Sequence, residues 1–330
     1  MPVHLLTGAG FSRNWGGWLA NEAFEYLIGY PQITSELQRR LWHGKKEGFE
    51  RVLNELRLIQ QRQKDEPSQS EVALFERMLE DMFNAMNLGF KQVEFDPLFD
   101  PHRIGPQPNL IRRFLAHFDA IFTLNQDCLL EMKYQTPGFV QISENRFRDM
   151  YCPGVEPFRD TSGKEYMPPG LFKPGPKLFQ LEHHRQPYFK LHGSSNWRDG
   201  DSTLLIMGGN KGPDIQSNWL LRNYRDQFTH SISQPNSKLF IIGYSFQDGH
   251  INEILENAAN AGAKFFIIDP TGVDVLDNAI NTPTSTQPYR HKIQGSIAGA
   301  SRRPLLATFS TDHVEHGKIW RFINRLGPES

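Results

Sequence analysis

Cysteine is scarce in this chain, and that scarcity is the first constraint on its chemistry. Only Cys128 and Cys152 occur in 330 residues, so a disulfide framework is not expected and a four-cysteine zinc module cannot be assembled. Long apolar runs are missing as well: none approaches the roughly 20 residues that cross a bilayer. The first residues, MPVHLLTGAG, have neither the basic region nor the apolar segment of a secretory signal, so a cytoplasmic location is expected. Nor is there an excess of charge of one sign. A formal net charge of −1 gives no overall field toward nucleic acid or an anionic membrane, and neither is expected as a direct partner. No internal repeat is visible. With 38% hydrophobic and 22% charged residues, the chain can bury the core of one large domain or two ordinary ones.

Four apolar runs have the continuous character of strands covered on both faces: VHLLT at 3–7, AIFTL at 120–124, KLFIIG at 238–243 and KFFIID at 264–269. YFKL at 188–191 and LLIMG at 204–208 are weaker candidates. Between the third and fourth runs, DGHINEILENAANAG places Ile251, Ile254, Leu255 and Ala258 on one helical face, and Gly262 suits the position just past its end. Strand, helix and strand in this order predict a right-handed parallel crossover. Phe49, Val52, Leu53, Leu56 and Ile59 recur at helical spacing, as do Phe75, Met78, Leu79, Met82, Phe83 and Met86, with Pro67 in a polar link between them. Such stripes predict helix–helix core. Near the end, DHVE from Asp312 resembles a capping box opening a helix.

The expected fold is therefore α/β, a Rossmann-like parallel sheet with helices on both faces, in a single domain spanning 1–330. Its core is expected in 1–19, 105–130 and 186–275. A helical insertion over 20–104, a loop-rich insertion over 131–185 without a zinc module and a C-terminal extension over 276–330 complete it. The loop-rich stretch is dense in proline and glycine, which in a compact domain marks a functional or partner surface.

Polar groups cluster where the strands end. LLTGAGFSRNWGG follows the first run, and Gly8 and Gly10 permit a tight turn and close approach to a diphosphate. Arg13 occupies the place of the third glycine of the dinucleotide fingerprint, and no Gly-Lys-Ser/Thr follows, so the loop is neither a dehydrogenase nor a P-loop match. Ser12 and Arg13 add groups suited to phosphate. The second run leads into Asn125 and Asp127, and YFKLHGSSNW puts His192 at a strand exit. A turn at Gly243 leads to Tyr244, Ser245, Phe246 and Asp248, and Asp269 ends the last run, where a carboxylate can hold ribose hydroxyls. Ligands of open α/β sheets bind at such carboxyl ends.

The order TGAGFS, TLNQD, KLHGS and IIGYSF followed by Asp248, His250, Ile251 and Asn252 resembles the sirtuin superfamily, with the nearest likeness to bacterial sirtuin-like domains of antiphage defence proteins. The resemblance covers roughly residues 3–30, 118–130, 186–210 and 236–272. It implies that Gly8, Ala9, Gly10 and Ser12 surround the diphosphate of NAD. It further implies that Asn125 and Asp127 engage the nicotinamide ribose and carboxamide, that His192 is the catalytic histidine, that Gly243 and Ser245 form a later turn contacting NAD, and that Asp269 lies on the adenine-side ribose. The implied partners are further copies of the chain in a homo-oligomer, and a separate ATPase or nuclease.

Three departures separate the chain from the family's protein deacetylases. NWGGWL stands where they have GIPDFR, the four zinc cysteines are absent, and Leu124 replaces a glutamine before Asn125. No metal is expected. A zinc site from His183, His184, Cys128 and Cys152 is the formal alternative. These departures disfavour acyl-lysine binding and keep the NAD-cleaving groups. The resulting expectation is an NAD hydrolase with NAD as substrate, releasing nicotinamide and ADP-ribose, in a defence effector. His192 would act as base, because an ordinary imidazole, with a pKa of about 6.5, is mostly neutral near pH 7. A protein deacylase and a non-catalytic NAD- or ADP-ribose-binding subunit are the rival expectations.

Overall fold

The computed structural model of the chain describes residues 1–45, 48–63, 66–96, 110–134, 147–158, 170–199, 202–205, 215–278 and 289–324. Outside them lie residues 97–104 of the expected helical insertion, residues 105–109 of the expected core, two stretches of the loop-rich insertion (135–146 and 159–169), the end of LLIMG and residues 279–288 of the expected C-terminal extension. The described strands are β1 (Val3–Thr7), β2 (Ala120–Thr123), β3 (Asp149–Tyr151), β4 (Val155–Pro157), β5 (Phe172–Pro174), β6 (Arg185–Lys190), β7 (Gly193–Asp199), β8 (Ser202–Leu205), β9 (Lys238–Ile242), β10 (Lys264–Ile268) and β11 (Ile297–Ser301). Seven form the main sheet in the order β11-β10-β9-β1-β2-β6-β3, every neighbouring pair parallel. The other four form a small sheet, β4-β5-β7-β8.

The central strands are largely apolar because both faces are covered. Every residue of β1, β2 and β9 is buried. Successive side chains point to opposite faces, so Leu5, Ile121, Tyr188, Phe240 and Phe266 enter one core while Leu6, Phe122, Phe189, Leu239 and Ile241 enter the other. Helices between β1 and β2 cover the first face: Ala20–Ile28, Ser35–Gly44, Phe49–Gln63 and Glu66–Gln92. Phe75, Met78, Leu79, Met82, Phe83 and Met86 are all buried there, as their spacing predicts. Each such side chain contributes about 1.5–3 kcal/mol when fully buried. Helices Trp219–Ile232 and Gly249–Asn260 cover the second face, the latter ending at Gly262 with φ of +95°.

The sheet departs from the sequence expectation at its margins. The loop-rich stretch contains β3, β4 and β5, and β3 pairs with β6 at the edge of the main sheet. Three-residue strands, two of them ending in proline, are too short to show any period. β8 lies antiparallel to β7 in the small sheet, not in the parallel one. β11, in the expected C-terminal extension, forms the other edge of the main sheet, where a Cβ on Gly299 would meet the Phe266 ring at 2.6 Å. Pro67 stands in the first turn of Glu66–Gln92 and not in a link, a position where its missing N–H costs no hydrogen bond. At the C-terminal helix His313–Asn324, Asp312 caps the Glu315 amide at 3.1 Å, while Glu315 turns to Lys318. Among the described residues no helix is long and apolar enough to cross a membrane.

The chain passes from β1 to β2 on one side and reaches β9 on the other. This reversal opens a crevice at the carboxyl edge, the usual ligand site of doubly wound sheets.

Candidate active site

The parallel ladders continue one residue past each central strand. Gly8 donates to the Ile242 carbonyl at 3.0 Å, Leu124 to Thr7 at 2.9 Å, Leu191 to Thr123 at 2.9 Å and Gly243 to Ile268 at 2.9 Å. Asn125 and His192 are each the next residue beyond the last such bond, so they emerge at one level along the sheet edge. The register that delivers them is set by the buried strands beneath.

Two of the loops touch backbone to backbone. The Gly10 amide donates to the Gly243 carbonyl at 3.0 Å. A Cβ on Gly8 would lie 2.5 Å from the Gly243 oxygen, and one on Gly243 would lie 2.3 Å from the Gly10 carbonyl carbon. The glycines therefore meet a requirement that the sequence does not display: two loops cross here with no room for a side chain. Gly243 also has φ of +63°. Gly243→Ala should cost about 2–4 kcal/mol, combining left-handed backbone strain with overpacking. Urea unfolding checks this, and a loss below about 0.5 kcal/mol, the ordinary range of surface changes, would contradict it.

Beyond Gly243 the backbone is held in a costly shape. Buried Phe246 has φ of +59°, a conformation worth about 1–3 kcal/mol of strain for a bulky residue. Asn252, fully buried, donates to the Phe246 carbonyl at 2.8 Å and accepts from the Tyr244 hydroxyl at 2.9 Å. Ser245 is exposed beside this clamp, as is Ala9 on the first loop.

The loops after β1 and β2 are joined by Ser12. Its buried hydroxyl donates to Asp127 Oδ2 at 2.8 Å and accepts from Asn125 Nδ2 at 2.9 Å. Asp127 Oδ1 accepts from the Leu129 amide at 3.0 Å, opening the short helix Leu129–Lys133. The Asn125 amide N–H donates to Thr123 Oγ1, itself bonded to Thr7 Oγ1 at 2.7 Å. Ser12 is thus a tether between carboxylate and carboxamide, fixing how Asn125 faces the crevice. Gln126 then stitches this loop to the turn between β6 and β7, donating to the His192 carbonyl at 3.3 Å and accepting from the Ser195 amide at 2.8 Å. His192 is buried, and its Nε2 lies 3.1 Å from Nε2 of His250, on the helix after β9.

Below the site runs an ion pair absent from the sequence reading. Lys190, the last residue of β6, bonds the Asp127 carbonyl and Glu131 Oε1, the latter at 2.7 Å, and both side chains are buried. Burial pushes the Glu131 carboxyl up, with Lys190 opposing. Burial alone would lower the Lys190 ammonium, yet the acidic groups around it, Glu131 first, leave it raised. The pair anchors the Asn125–Asp127 loop from beneath.

Two residues expected in the site have other partners. Arg13 is half exposed and paired with Glu22, and the Asp269 carboxylate accepts from the Thr271 amide at 2.8 Å and hydroxyl at 2.7 Å, within its own turn. Both still stand at the carboxyl edge, on loops after β1 and β10. Burial pushes the Cys128 thiol up to about 12, so it stays protonated at neutral pH and is unsuited to thiolate ligation. His183 and His184 are exposed. Among the described residues one group has donors close enough for a metal, His192, Asp248 and His250, and it contains none of His183, His184, Cys128 or Cys152.

The family described as SIR2-like domain matches residues 119–280, from the start of β2 to past β10. Among solved structures, a Sir2 homolog–NAD complex is 11% identical, covering 97% of this chain and 90% of that chain with a TM-score of 0.41. A Sir2–p53 peptide–NAD+ structure is 12% identical, covering 96% and 94% with a TM-score of 0.38. Sir2 with the inhibitor EX-527, 2′-O-acetyl-ADP-ribose and deacetylated p53 peptide is 12% identical, covering 96% and 94% with a TM-score of 0.36. No curated protein matches the sequence. Residues 119–280 of the chain are thus similar to the SIR2-like domain family.

Proposed function

We propose that the protein is an NAD glycohydrolase, with NAD bound as substrate along the crevice between the β1 and β9 loops. The observation that carries the reading is the joined set Ser12, Asn125 and Asp127 beside His192 at one level of the sheet edge. A binding module has no need of a base at that level. The backbone around Gly8, Ala9 and Gly10, with Gly243 and Ser245 opposite, borders the diphosphate. Arg13 and Asp269 reach the ligand on leaving Glu22 and Thr271, as side chains at exposed edges can.

Cleavage breaks the bond between nicotinamide nitrogen and ribose carbon, and the electron pair leaves with nicotinamide as a neutral molecule. Oxocarbenium character remains on the sugar, and water adds to it. Asn125, oriented by Ser12, holds the ribose or the water, and Asp127 faces the leaving carboxamide. His192 accepts the proton that water gives up and returns it to solvent. One NAD and one water thus yield nicotinamide, ADP-ribose and a proton. Through the same resemblance, the reading extends to a cytoplasmic defence effector that depletes NAD, working as an oligomer or beside a separate ATPase or nuclease.

Asn125→Ala separates binding from cleavage. The crossing Gly8–Gly10 and Gly243 loops remain, so NAD affinity measured by calorimetry should stay within about tenfold of wild type, a 1.4 kcal/mol margin. Nicotinamide release should fall by about a hundredfold or more, the scale of losing a positioned transition-state donor. Equal losses in both, or retained turnover, would remove Asn125 from the reaction.

A further inference from the structure

We infer that His192, His250 and Asp248 form a binding site for a divalent transition metal of the zinc type, whose occupation withdraws His192 from proton transfer. The metal-binding half stands on geometry alone; the inhibitory half rests on the role proposed for His192. The two Nε2 atoms are 3.1 Å apart, close to the about 3.3 Å spanned by two nitrogens on a tetrahedral zinc. Ligand atoms of all three side chains lie within 4.8 Å of one another, so small side-chain adjustments close them on one ion. Two imidazoles and a carboxylate are a donor set that zinc and its neighbours accept, leaving a fourth position open.

Asp248 supplies an independent sign. It is the N-cap residue of the helix Gly249–Asn260, where aspartate ordinarily accepts from first-turn amides, yet its side chain makes no cap hydrogen bond. One of its carboxylate oxygens lies within 4.8 Å of a ring nitrogen of each histidine. The helix terminus disfavours a cation by roughly half a unit charge, which the full negative charge of Asp248 exceeds. His192 is buried while Asp248 and His250 are partly exposed, so an ion has a path from solvent. In the metal-free pair, one Nε2 donates its proton to the other. On binding, that proton moves to Nδ1 of the same ring, so both rings ligate as neutral imidazoles without net proton release. The lone pair that would take water's proton then points at the metal.

Chelator-treated protein should bind zinc at one ion per chain by calorimetry, and cobalt(II) in its place should show the visible absorption of a tetrahedral site. His250→Ala should weaken zinc binding at least tenfold, the lower bound seen even for second-shell changes. Asp248→Asn should weaken it in the same direction. His183→Ala with His184→Ala, removing the exposed tandem pair, should leave affinity unchanged. His250→Gln serves should the alanine variant fail to fold. Absence of saturable binding, binding indifferent to both His250 variants, or binding lost with His183 and His184 would overturn the site. Zinc that binds as described but leaves nicotinamide release unchanged would overturn only the inhibitory half. A chain that cleaves no NAD still answers the binding half.

Discussion

His192→Ala should leave the fold intact and cut NAD turnover by about 10²–10⁴-fold, the range of a positioned acid–base group. The side chain follows the last ladder bond of β6, and the backbone there is held through Gln126 and the Leu191 amide. Deleting the imidazole therefore removes a proton acceptor without removing the bonds that shape the turn. Unfolding by urea should show a loss well short of global collapse. The comparison belongs in a preparation where the wild-type chain is active, with nicotinamide release read directly. Turnover within a few-fold of wild type would remove His192 as base.

Lys190→Met should be the most destabilising single change in the site, at about 3–5 kcal/mol, because it leaves the Glu131 carboxyl buried without its counter-ion. One Glu131 oxygen already lacks a hydrogen-bond partner, and the Asp127 carbonyl loses its ammonium donor as well. Adding Glu131→Gln should restore a large part of the loss, since contacting residues are not additive. The pH dependence has a definite sign. Burial raises the Glu131 carboxyl in the folded chain above its ordinary 4.5, and removing Lys190 raises it further. The folded variant then holds a proton that the unfolded chain releases, so it gains stability as pH falls toward the ordinary carboxylate range and loses it as pH rises. The deficit relative to wild type should therefore shrink on acidification, measured by urea unfolding at several pH values. A deficit that is small, constant with pH and unrepaired by Glu131→Gln would show the pair to be dispensable.

The sequence made the sheet's centre readable and its margins unreadable, for physical reasons. β1, β2, β9 and β10 are covered on both faces and so are built mostly of apolar residues. The Met and Phe stripes of the helices between β1 and β2 face one core and keep a clean period. β3 to β5 are too short for any period, and β11, IAGAS, is after Ile297 made of small residues that carry no strand signal. The place of Asn125 and Asp127 at the sheet edge was readable because they follow a clear apolar run, and that of His192 because it follows a weaker one. Their partners were not. Ser12 reads as a phosphate ligand until the fold brings Asp127 to it. Arg13 and Asp269 likewise read as ligand groups until Glu22 and Thr271 appear beside them. His250 was hidden inside a well-formed amphipathic helix pattern, and Lys190 inside a strand, where a lysine gives no sign of being buried. Asp248 and His250 nonetheless stand in the motif that carries the family resemblance, the one signal that could have found them.

The reading of the site as a hydrolase meets its most direct test in a product analysis. Supply NAD alone to the active chain, resolve all products, and repeat with an acetyl-lysine peptide. A glycohydrolase releases nicotinamide and ADP-ribose in equal amounts without peptide, and the peptide changes neither, because water supplies the oxygen at the anomeric carbon. Nicotinamide appearing only with the peptide, together with an acylated ADP-ribose, would make the chain a deacylase, and NAD bound but intact under every condition that activates the chain would make it a binding subunit.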